Sequence, residues 1–167
     1  MEPIIGKNIK LRSVESSDID TLLLWENDRR LWQYGDVHKP FTRDEIEAFV
    51  LAQKGVSYGV CDQFRFMIIG EDNRRVGTLD LFDNDGVTAS VGILVYDHSD
   101  RRRGYASEAL KCLERALLST SLMMLRAEVS VYNDASLTLF RRAGYSEVDN
   151  DGYRVLFELP LQRSAEL

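Results

Sequence analysis

Cysteine, proline and basic charge are all scarce in this sequence of 167 residues. Its two cysteines, Cys61 and Cys112, form no Cys-x-x-Cys pair, which argues against a disulfide framework and against structural zinc. We expect both to be packing residues. Asp and Glu number 27 against 21 for Lys and Arg, so the formal net charge is -6. Because nucleic-acid-binding proteins usually present a basic face, we expect no nucleic acid as a partner; a cationic small molecule or peptide suits this charge better.

Long apolar runs are also missing. No segment approaches the roughly 20 apolar residues that a membrane helix needs, and residues 1–12 contain no apolar core of a signal peptide. We therefore expect a cytoplasmic protein without a membrane partner. The two histidines, His38 and His98, have no spacing typical of a metal site or a catalytic triad. We interpret both as loop residues and expect no metal.

The spacing of apolar residues alternates between that of strands and that of helices along the whole chain. The length is that of one domain, so we predict a single domain over residues 1–167. The capping box Thr42-Arg43-Asp44-Glu45 opens one helix, and Gly55 is expected to end it. Another helix begins near Ser17 and carries Glu26. The other predicted elements are strands at Ile9–Arg12, Phe64–Ile69, Val76–Phe82 and Ala89–Tyr96, a helix at Ala106–Leu117, a strand at Leu125–Val131, a helix at Ala135–Ala143 and a hairpin at Ser146–Leu159. This order predicts a mixed α/β (α+β) sheet rather than a doubly wound one.

One loop between a strand and a helix carries the run Arg101-Arg102-Arg103-Gly104-Tyr105-Ala106. A helix N-terminus offers unpaired N–H groups and the positive end of the helix dipole, so a pyrophosphate can be held there. Gly104 allows the main chain to approach a phosphate oxygen closely, and the arginines add charge-assisted contacts. A solvated arginine cluster is the competing interpretation. The Gly-x-Gly-x-x-Gly and Gly-Lys-Ser/Thr patterns are absent, which excludes Rossmann and Walker phosphate loops.

The strand Ser90–Tyr96 followed by Arg101-x-x-Gly104-x-Ala106 resembles motif A of the GNAT superfamily of N-acetyltransferases. The segment from Asn133 to Tyr145, which opens a helix with asparagine and ends with a glycine and an aromatic residue, resembles motif B of the same family. Upstream, Trp25-Glu26-Asn27-Asp28 and Trp32 resemble the branch that contains spermidine and ribosomal-protein N-terminal acetyltransferases. The resemblance extends from about Ile9 to Leu159, nearly the whole chain.

The resemblance implies a mostly antiparallel sheet flanked by helices, in which a bulge splays two strands apart around acetyl-CoA. The main chain of Leu94–Tyr96 would pair with the pantetheine arm, the N–H groups of Arg102–Ala106 would hold the pyrophosphate, and Asn133 would lie near the thioester. Asn133 also reads as a plain helix N-cap, and the two roles are compatible. The cofactor-binding set implied by the family comprises Leu94, Val95, Tyr96, Arg101, Arg102, Arg103, Gly104, Tyr105, Ala106, Asn133 and Phe140. Dimers are frequent in the family, so a homodimer is one expectation that the sequence leaves open.

Phe140 departs from the family pattern. Many members place a tyrosine four residues before the motif B glycine, where it protonates the leaving thiolate, and a phenylalanine cannot donate that proton. Tyr145 follows Gly144, where the family keeps a packing aromatic residue, so we do not transfer the role to it. Water or another tyrosine could donate the proton, or no acid is needed. A non-catalytic acyl-CoA-binding module or sensor is the alternative that Phe140 favours.

Three carboxylates are candidates for the acceptor side. An amine with a pKa of about 10.4 is almost fully protonated at pH 7, so a base should remove its proton, and Asp80 is our candidate for that role. Glu26 and Asp83 are candidates for binding the amine. Strand carboxylates are often merely solvated, which is the competing interpretation of Asp80. A polyamine, a peptide N-terminus, an aminoglycoside and an amino acid all remain open as acceptors, and no covalent enzyme intermediate is required.

Overall fold

The computed structural model describes residues 1–34 and 39–163. His38 therefore lies outside the described residues, whereas His98 lies in a short helical turn between a strand and a helix. In chain order the elements are β1 (Ile4–Ile5), β2 (Lys10–Ser13), α1 (Ile19–Glu26), α2 (Arg43–Gln53), β3 (Phe64–Ile69), β4 (Arg75–Phe82), β5 (Thr88–Val95), α3 (Tyr105–Leu117), β6 (Met124–Ser130), α4 (Asp134–Arg142), β7 (Ser146–Asn150) and β8 (Arg154–Pro160).

The described strands form one sheet in the order β1-β2-β3-β4-β5-β6-β8-β7. Only β5 and β6 pair in parallel, and every other neighbouring pair is antiparallel. Parallel neighbours need a long crossover, which α3 provides here. The prediction of a mixed, mostly antiparallel α/β sheet is confirmed.

The parallel strands β5 and β6 separate after a short paired stretch. Their register runs from Thr88 opposite Met124 to Ser90 opposite Arg126. Beyond it β5 continues beside β4, while β6 continues beside β8 as far as Ser130. The two strands therefore enclose a wedge, the β5–β6 gap, between residues 91–95 and 127–130.

The gap does not depend on a bulge in the register of β5. The pairing of β4 with β5 is continuous, and among the described strand pairs the register shifts lie in β3, between Ile68 and Ile69, and in β7. The expectation of a splayed strand pair is thus confirmed. The bulge expected with it is not found, because β5 and β6 diverge by each following its outer neighbour.

Helices cover both faces of the sheet. Alternation along β3 sends Phe64, Phe66 and Ile68 into the core under α3 and α4, and sends Met67 into a second core with α1 and α2. Each such fully buried side chain stabilises the fold by about 1.5–3 kcal/mol. Cys112 is fully buried in the larger core and Cys61 packs at its edge, as expected for packing residues.

The helix boundaries follow local signals. Thr42 and Glu45 form the predicted reciprocal capping box at the start of α2, and Gly55 adopts a positive φ of 73° just beyond its end. No helix among the described residues is long and apolar enough to cross a membrane.

Candidate active site

The β5–α3 loop, residues 96–104, presents a run of unpaired main-chain donors. Arg102 and Gly104 both adopt positive φ angles, of 67° and 81°. Alternation of left- and right-handed residues turns successive N–H groups into a concave anion-binding nest. The N–H groups of residues 102–106 form no hydrogen bond of good geometry with a described residue, and the first helical hydrogen bond runs from Glu108 to the Gly104 carbonyl. Such a loop can accommodate an anion such as a pyrophosphate.

The three arginines of this loop have different surroundings. Arg103 pairs with Glu71 at 3.0 Å and with buried Asp100 at 3.4 Å, and Asp100 also binds Arg74 at 2.6 Å. Arg103 is therefore a brace that fixes the loop. Arg101 donates to the Val95 carbonyl at 3.3 Å.

Arg102 is exposed and makes no hydrogen bond or ion pair with a described residue. Its guanidinium is therefore available to a ligand phosphate. The bracing carboxylate Asp100 was not singled out from the sequence, although its position next to the arginine run was a usable signal.

The end of β5 lies unusually close to β4. A Cβ atom at Gly77 would overlap the carbonyl oxygen of Leu94, so only glycine fits there. The N–H of Tyr96 donates to the Val76 carbonyl at 3.0 Å. Because alternate residues of a strand direct their main-chain groups to opposite neighbours, Leu94 and Tyr96 face β4 and Val95 faces the β5–β6 gap. Of the three residues expected to pair with pantetheine, Val95 is the one whose main chain is directed into the gap.

Asn133 lies on the opposite side of the gap, just beyond β6. Its side-chain oxygen accepts from the N–H of Ser136 at 3.2 Å and caps α4, and its own N–H donates to the Ser130 carbonyl at 3.0 Å. The capping role is therefore present. The side-chain NH₂ of Asn133 has no partner among the described residues, which leaves it able to contact a ligand in the gap.

Phe140 is a core residue. Its ring contacts Tyr145 edge-to-face at a centroid distance of 5.0 Å and stacks on Phe157 at 6.0 Å, and only 3% of the residue is exposed. The apolar face of α4 packs on β6 and β8, which draws Phe140 into the interior instead of placing it on an open cofactor surface. The Tyr145 hydroxyl is buried without a partner, and burial, together with Glu114, raises the pKa of this phenol.

On the α1–α2 face of the sheet, Arg65 joins two of the three candidate carboxylates. Its guanidinium binds Asp80 through two hydrogen bonds of 2.6 and 2.8 Å, and binds Glu26 at 2.6 Å. The side chains of this Asp80–Arg65–Glu26 triad are only 13–23% exposed. Asp80 and Glu26 are thus brought together by an arginine that sequence reasoning missed.

The triad borders a groove of about 340 Å³, the α1–α2 groove. It is lined by Glu26, Phe41, Glu45, Ile46, Phe49, Gln63 and Arg65. The Phe49 ring lies 5.0 Å from the Arg65 guanidinium carbon. An apolar wall with carboxylates at its edge suits a cationic group attached to an aliphatic chain.

Asp83 does not join this site. It follows Phe82, which pairs with Ser90 at the closed end of the β5–β6 gap. Leu94 lies four residues further along β5, about 13 Å away at the rise of a strand. Asp83 is exposed and is separated from the triad because the strand carries it to the far end of the sheet.

The Trp25–Asp28 segment connects α1 to the end of β5. The Tyr96 ring stacks on Trp25 at 5.2 Å, and its hydroxyl donates to Asp28 at 2.8 Å. This hydrogen bond raises the pKa of Tyr96, while hydrogen bonds from Arg30 and then Tyr96 hold the pKa of Asp28 well below its usual range. Tyr96 therefore serves as a side-chain link between the α1 region and the strand at the gap.

Asn27, in the same segment, holds the groove residue Phe41 in place. Its side-chain amide donates to the carbonyl of Phe41 and accepts from the N–H of Phe41, at 3.0 and 2.8 Å. The Trp32 indole N–H donates to the Glu26 carbonyl at 2.9 Å. Each residue of the motif Trp25-Glu26-Asn27-Asp28 thus has a defined contact at the groove or at the end of β5.

Comparison with known proteins agrees with this geometry. Residues 8–146 match the family model described as an acetyltransferase (GNAT) domain. The SPbeta prophage-derived N-acetyltransferase YokL of Bacillus subtilis strain 168 is 27% identical over 145 residues, covering 84% of this chain and 77% of that protein.

Two solved structures share the fold. One is RimL, a ribosomal alpha-N-protein acetyltransferase in complex with coenzyme A (18% identity, 96% of this chain and 98% of that chain, TM-score 0.80). The other is spermidine N-acetyltransferase from Vibrio cholerae in complex with CoA and spermine (18% identity, 92% and 96%, TM-score 0.72). The family match covers most of the chain, and the anion nest and the splayed strands lie within it, so this chain belongs to the GNAT family of acetyltransferases.

Proposed function

We propose that this protein transfers the acetyl group of acetyl-CoA directly to a primary amine, either polyamine-like or a peptide N-terminus, while both substrates are bound. One observation carries the proposal: an anion-binding loop and an open β5–β6 gap lie on the same sheet as an acidic groove. The loop and the gap suit the cofactor, and the groove suits a cation.

The cofactor side uses mostly main-chain groups. The N–H groups of residues 102–106 bind the pyrophosphate, Arg102 adds a charge-assisted contact, and Val95 and Asn133 face the pantetheine arm from the two sides of the gap. Acetyl-CoA, when bound, supplies an activated acetyl group. A main-chain N–H of β5 directed into the gap can stabilise the negative charge that develops on the carbonyl oxygen.

The acceptor side uses the triad and the α1–α2 groove. Glu26, Glu45 and Asp80 against Arg65 leave a net negative charge, which attracts a protonated amine. At the gap, the amino group that is acetylated loses one proton to water, and its nitrogen bonds to the carbonyl carbon as the carbon–sulfur bond breaks and the thiolate leaves. The nitrogen then gives up its second proton to the thiolate or to water. Glu26 Oε2 has no partner among the described residues, so Glu26 has an oxygen free to bind an ammonium group of the acceptor.

The leaving thiolate needs little acid assistance. Taking cysteine as a model, a thiol with a pKa of about 8.5 leaves tolerably well as its own thiolate. General acid catalysis is typically worth about 10²–10⁴-fold, and proximity and orientation of the amine supply much of the remaining acceleration. This account accommodates Phe140 at the position where a tyrosine acid is common in the family.

The names of the structural relatives support an amine acceptor of one of two kinds, since one acts on ribosomal protein and the other on spermidine. Thiol release from acetyl-CoA across a panel of polyamines, peptides, aminoglycosides and amino acids tests the proposal. We expect release that requires both acetyl-CoA and an amine. Tight acetyl-CoA binding without release for any amine would favour the acyl-CoA sensor instead. A cytoplasmic location, a homodimer and the absence of metal stay predictions.

A further inference from the structure

We infer that the α1–α2 groove binds a second ammonium group of the acceptor, about 10 Å from the nitrogen that is acetylated. The inference rests on the proposed acetyl transfer and names the class of acceptor: an aliphatic amine with a distant second cation. Three observations support it: the chemistry of the groove walls, the main-chain N–H and C=O groups beside the groove that already have hydrogen-bond partners, and the distance from the groove to the gap.

The groove walls combine apolar surface with negative charge. Phe41, Ile46 and Phe49 supply the apolar part, and Glu26 and Glu45 supply carboxylates. Arg65, the cation among the lining residues, is already bound to Asp80 and Glu26 and has Phe49 against its guanidinium. Methylene groups therefore meet aromatic rings while a terminal ammonium meets the carboxylates.

A peptide arm fits the same walls less well. Each peptide unit needs partners for its N–H and C=O groups, and the polar main chain beside the groove is already occupied. Asn27 holds both main-chain groups of Phe41, and the side chain of Gln53 binds the Gln63 carbonyl at 3.3 Å and the Arg65 N–H at 2.7 Å. A methylene chain makes no such demand.

The distance from groove to gap sets the length of the acceptor. The groove lies over Gln63 and Arg65 at the start of β3, and the gap begins at the free edge of β5, two strands away. Two strand spacings are about 10 Å. An extended chain covers about 1.2 Å per bond, because the three bonds of one residue span at most about 3.6 Å, so about eight bonds separate the two nitrogens.

Gly92 leaves space on the sheet surface between the groove and the gap. Gly92 lies opposite Asp80 on β4, and a Cβ atom there would lie 3.9 Å from the Asp80 Cβ and 3.6 Å from the Phe82 ring. With no side chain at this position, β5 leaves a low point on the α1–α2 face directly beside Asp80, between the side chains of Ser90 and Leu94. An extended amine can therefore lie across β4 and β5 toward the gap.

Acetylation kinetics at saturating acetyl-CoA test the inference with three probes: diaminoheptane with an amino group at each end, heptylamine, and diaminopropane. Diaminoheptane has eight bonds between its nitrogens, so we expect its KM to be at least about tenfold below that of heptylamine. Diaminopropane is too short to reach the groove and should show no such advantage. Equal KM values for diaminoheptane and heptylamine overturn the inference and leave acetyl transfer intact. A kcat/KM for a basic tripeptide clearly above that for diaminoheptane has the same two consequences.

A matched pair of variants on α2 assigns the effect to the groove. Glu45→Gln keeps the capping box, in which glutamine serves as well as glutamate, and removes a groove charge. It should raise the KM of diaminoheptane about tenfold and raise that of heptylamine much less. Glu47→Gln, on the same helix but not part of the groove lining, should change neither. Equal responses of the two variants overturn the assignment.

Calorimetric titration of the coenzyme A-bound protein with diaminoheptane separates this inference from the proposed function. If no amine is acetylated but diaminoheptane binds and Glu45→Gln weakens it, acetyl transfer fails and the cation site stands. If diaminoheptane neither binds nor reacts, the cation site is refuted.

Discussion

Both carboxylate oxygens of Asp80 accept hydrogen bonds from Arg65, at 2.6 and 2.8 Å. The same guanidinium binds Glu26 at 2.6 Å, so one arginine holds together a strand and the helix that borders the acceptor groove. To accept a proton from an amine, Asp80 would first have to weaken this bidentate salt bridge. We therefore propose that Asp80 acts mainly by positioning Arg65 and Glu26.

Asp80→Asn separates positioning from proton removal. An amide cannot form the bidentate ionic pair, so Arg65 and Glu26 shift and kcat/KM falls by up to about a hundredfold. Positioning predicts an equal loss at every pH from 6 to 9. A kcat/KM profile displaced upward in pH would restore the original hypothesis that Asp80 is the base, and wild-type kinetics would remove it from the mechanism.

The anion nest is tested at Gly104, where φ is 81°. Gly104→Ala has room for its methyl group but must hold a left-handed conformation, at a cost of about 1–2 kcal/mol, and the methyl group would stand where the pyrophosphate approaches. Calorimetry should show a loss of coenzyme A affinity of at least about tenfold. Gly86→Ala is the control, since its φ of 87° and open surroundings impose similar strain away from the loop. Equal affinities in the two variants would refute the nest.

Gly77 tests the close approach of β4 to the strand at the gap. In Gly77→Ala the methyl group would overlap the Leu94 carbonyl oxygen, so β5 would have to shift or the hydrogen bonds between β4 and β5 would have to break here. Such overpacking typically costs about 1–3 kcal/mol, which thermal unfolding should register as a lower Tm. Gly92→Ala on the facing strand meets its neighbours only at ordinary contact distances, and its Tm should stay near that of the wild type. A Gly77→Ala protein as stable as Gly92→Ala would contradict the described geometry.

The local parts of the fold were predictable. β3 occupies the predicted residues, Phe64–Ile69, and the capping box at Thr42 opens α2, because alternation and capping depend on neighbouring residues alone. The register that opens the β5–β6 gap was derived only through family resemblance. That register depends on the pairing of β5 with β4 and of β6 with β8, and these pairings between strands are not encoded in any local sequence pattern.

The candidate site shows the same limit. The anion-binding loop was predictable because its strand, turn and helix are contiguous in sequence. Arg65 was missed because it reads as an ordinary polar residue between Phe64 and Phe66, and its partners lie 15 and 39 residues away. Asp83 was expected near the site because it lies close to Asp80 in sequence, but it lies beyond the end of a strand that carries it about 10 Å away from Asp80.

Acetyl transfer itself is tested most directly by following thiol release and acetylated amine together, by mass spectrometry, for the wild type and Phe140→Tyr. We expect one acetyl group on the amine for each thiol released by the wild type. Because the Phe140 ring packs in the core, Phe140→Tyr should change kcat by less than about tenfold. A wild-type protein that binds acetyl-CoA tightly but acetylates no amine would contradict the proposed activity and leave a binding protein in its place.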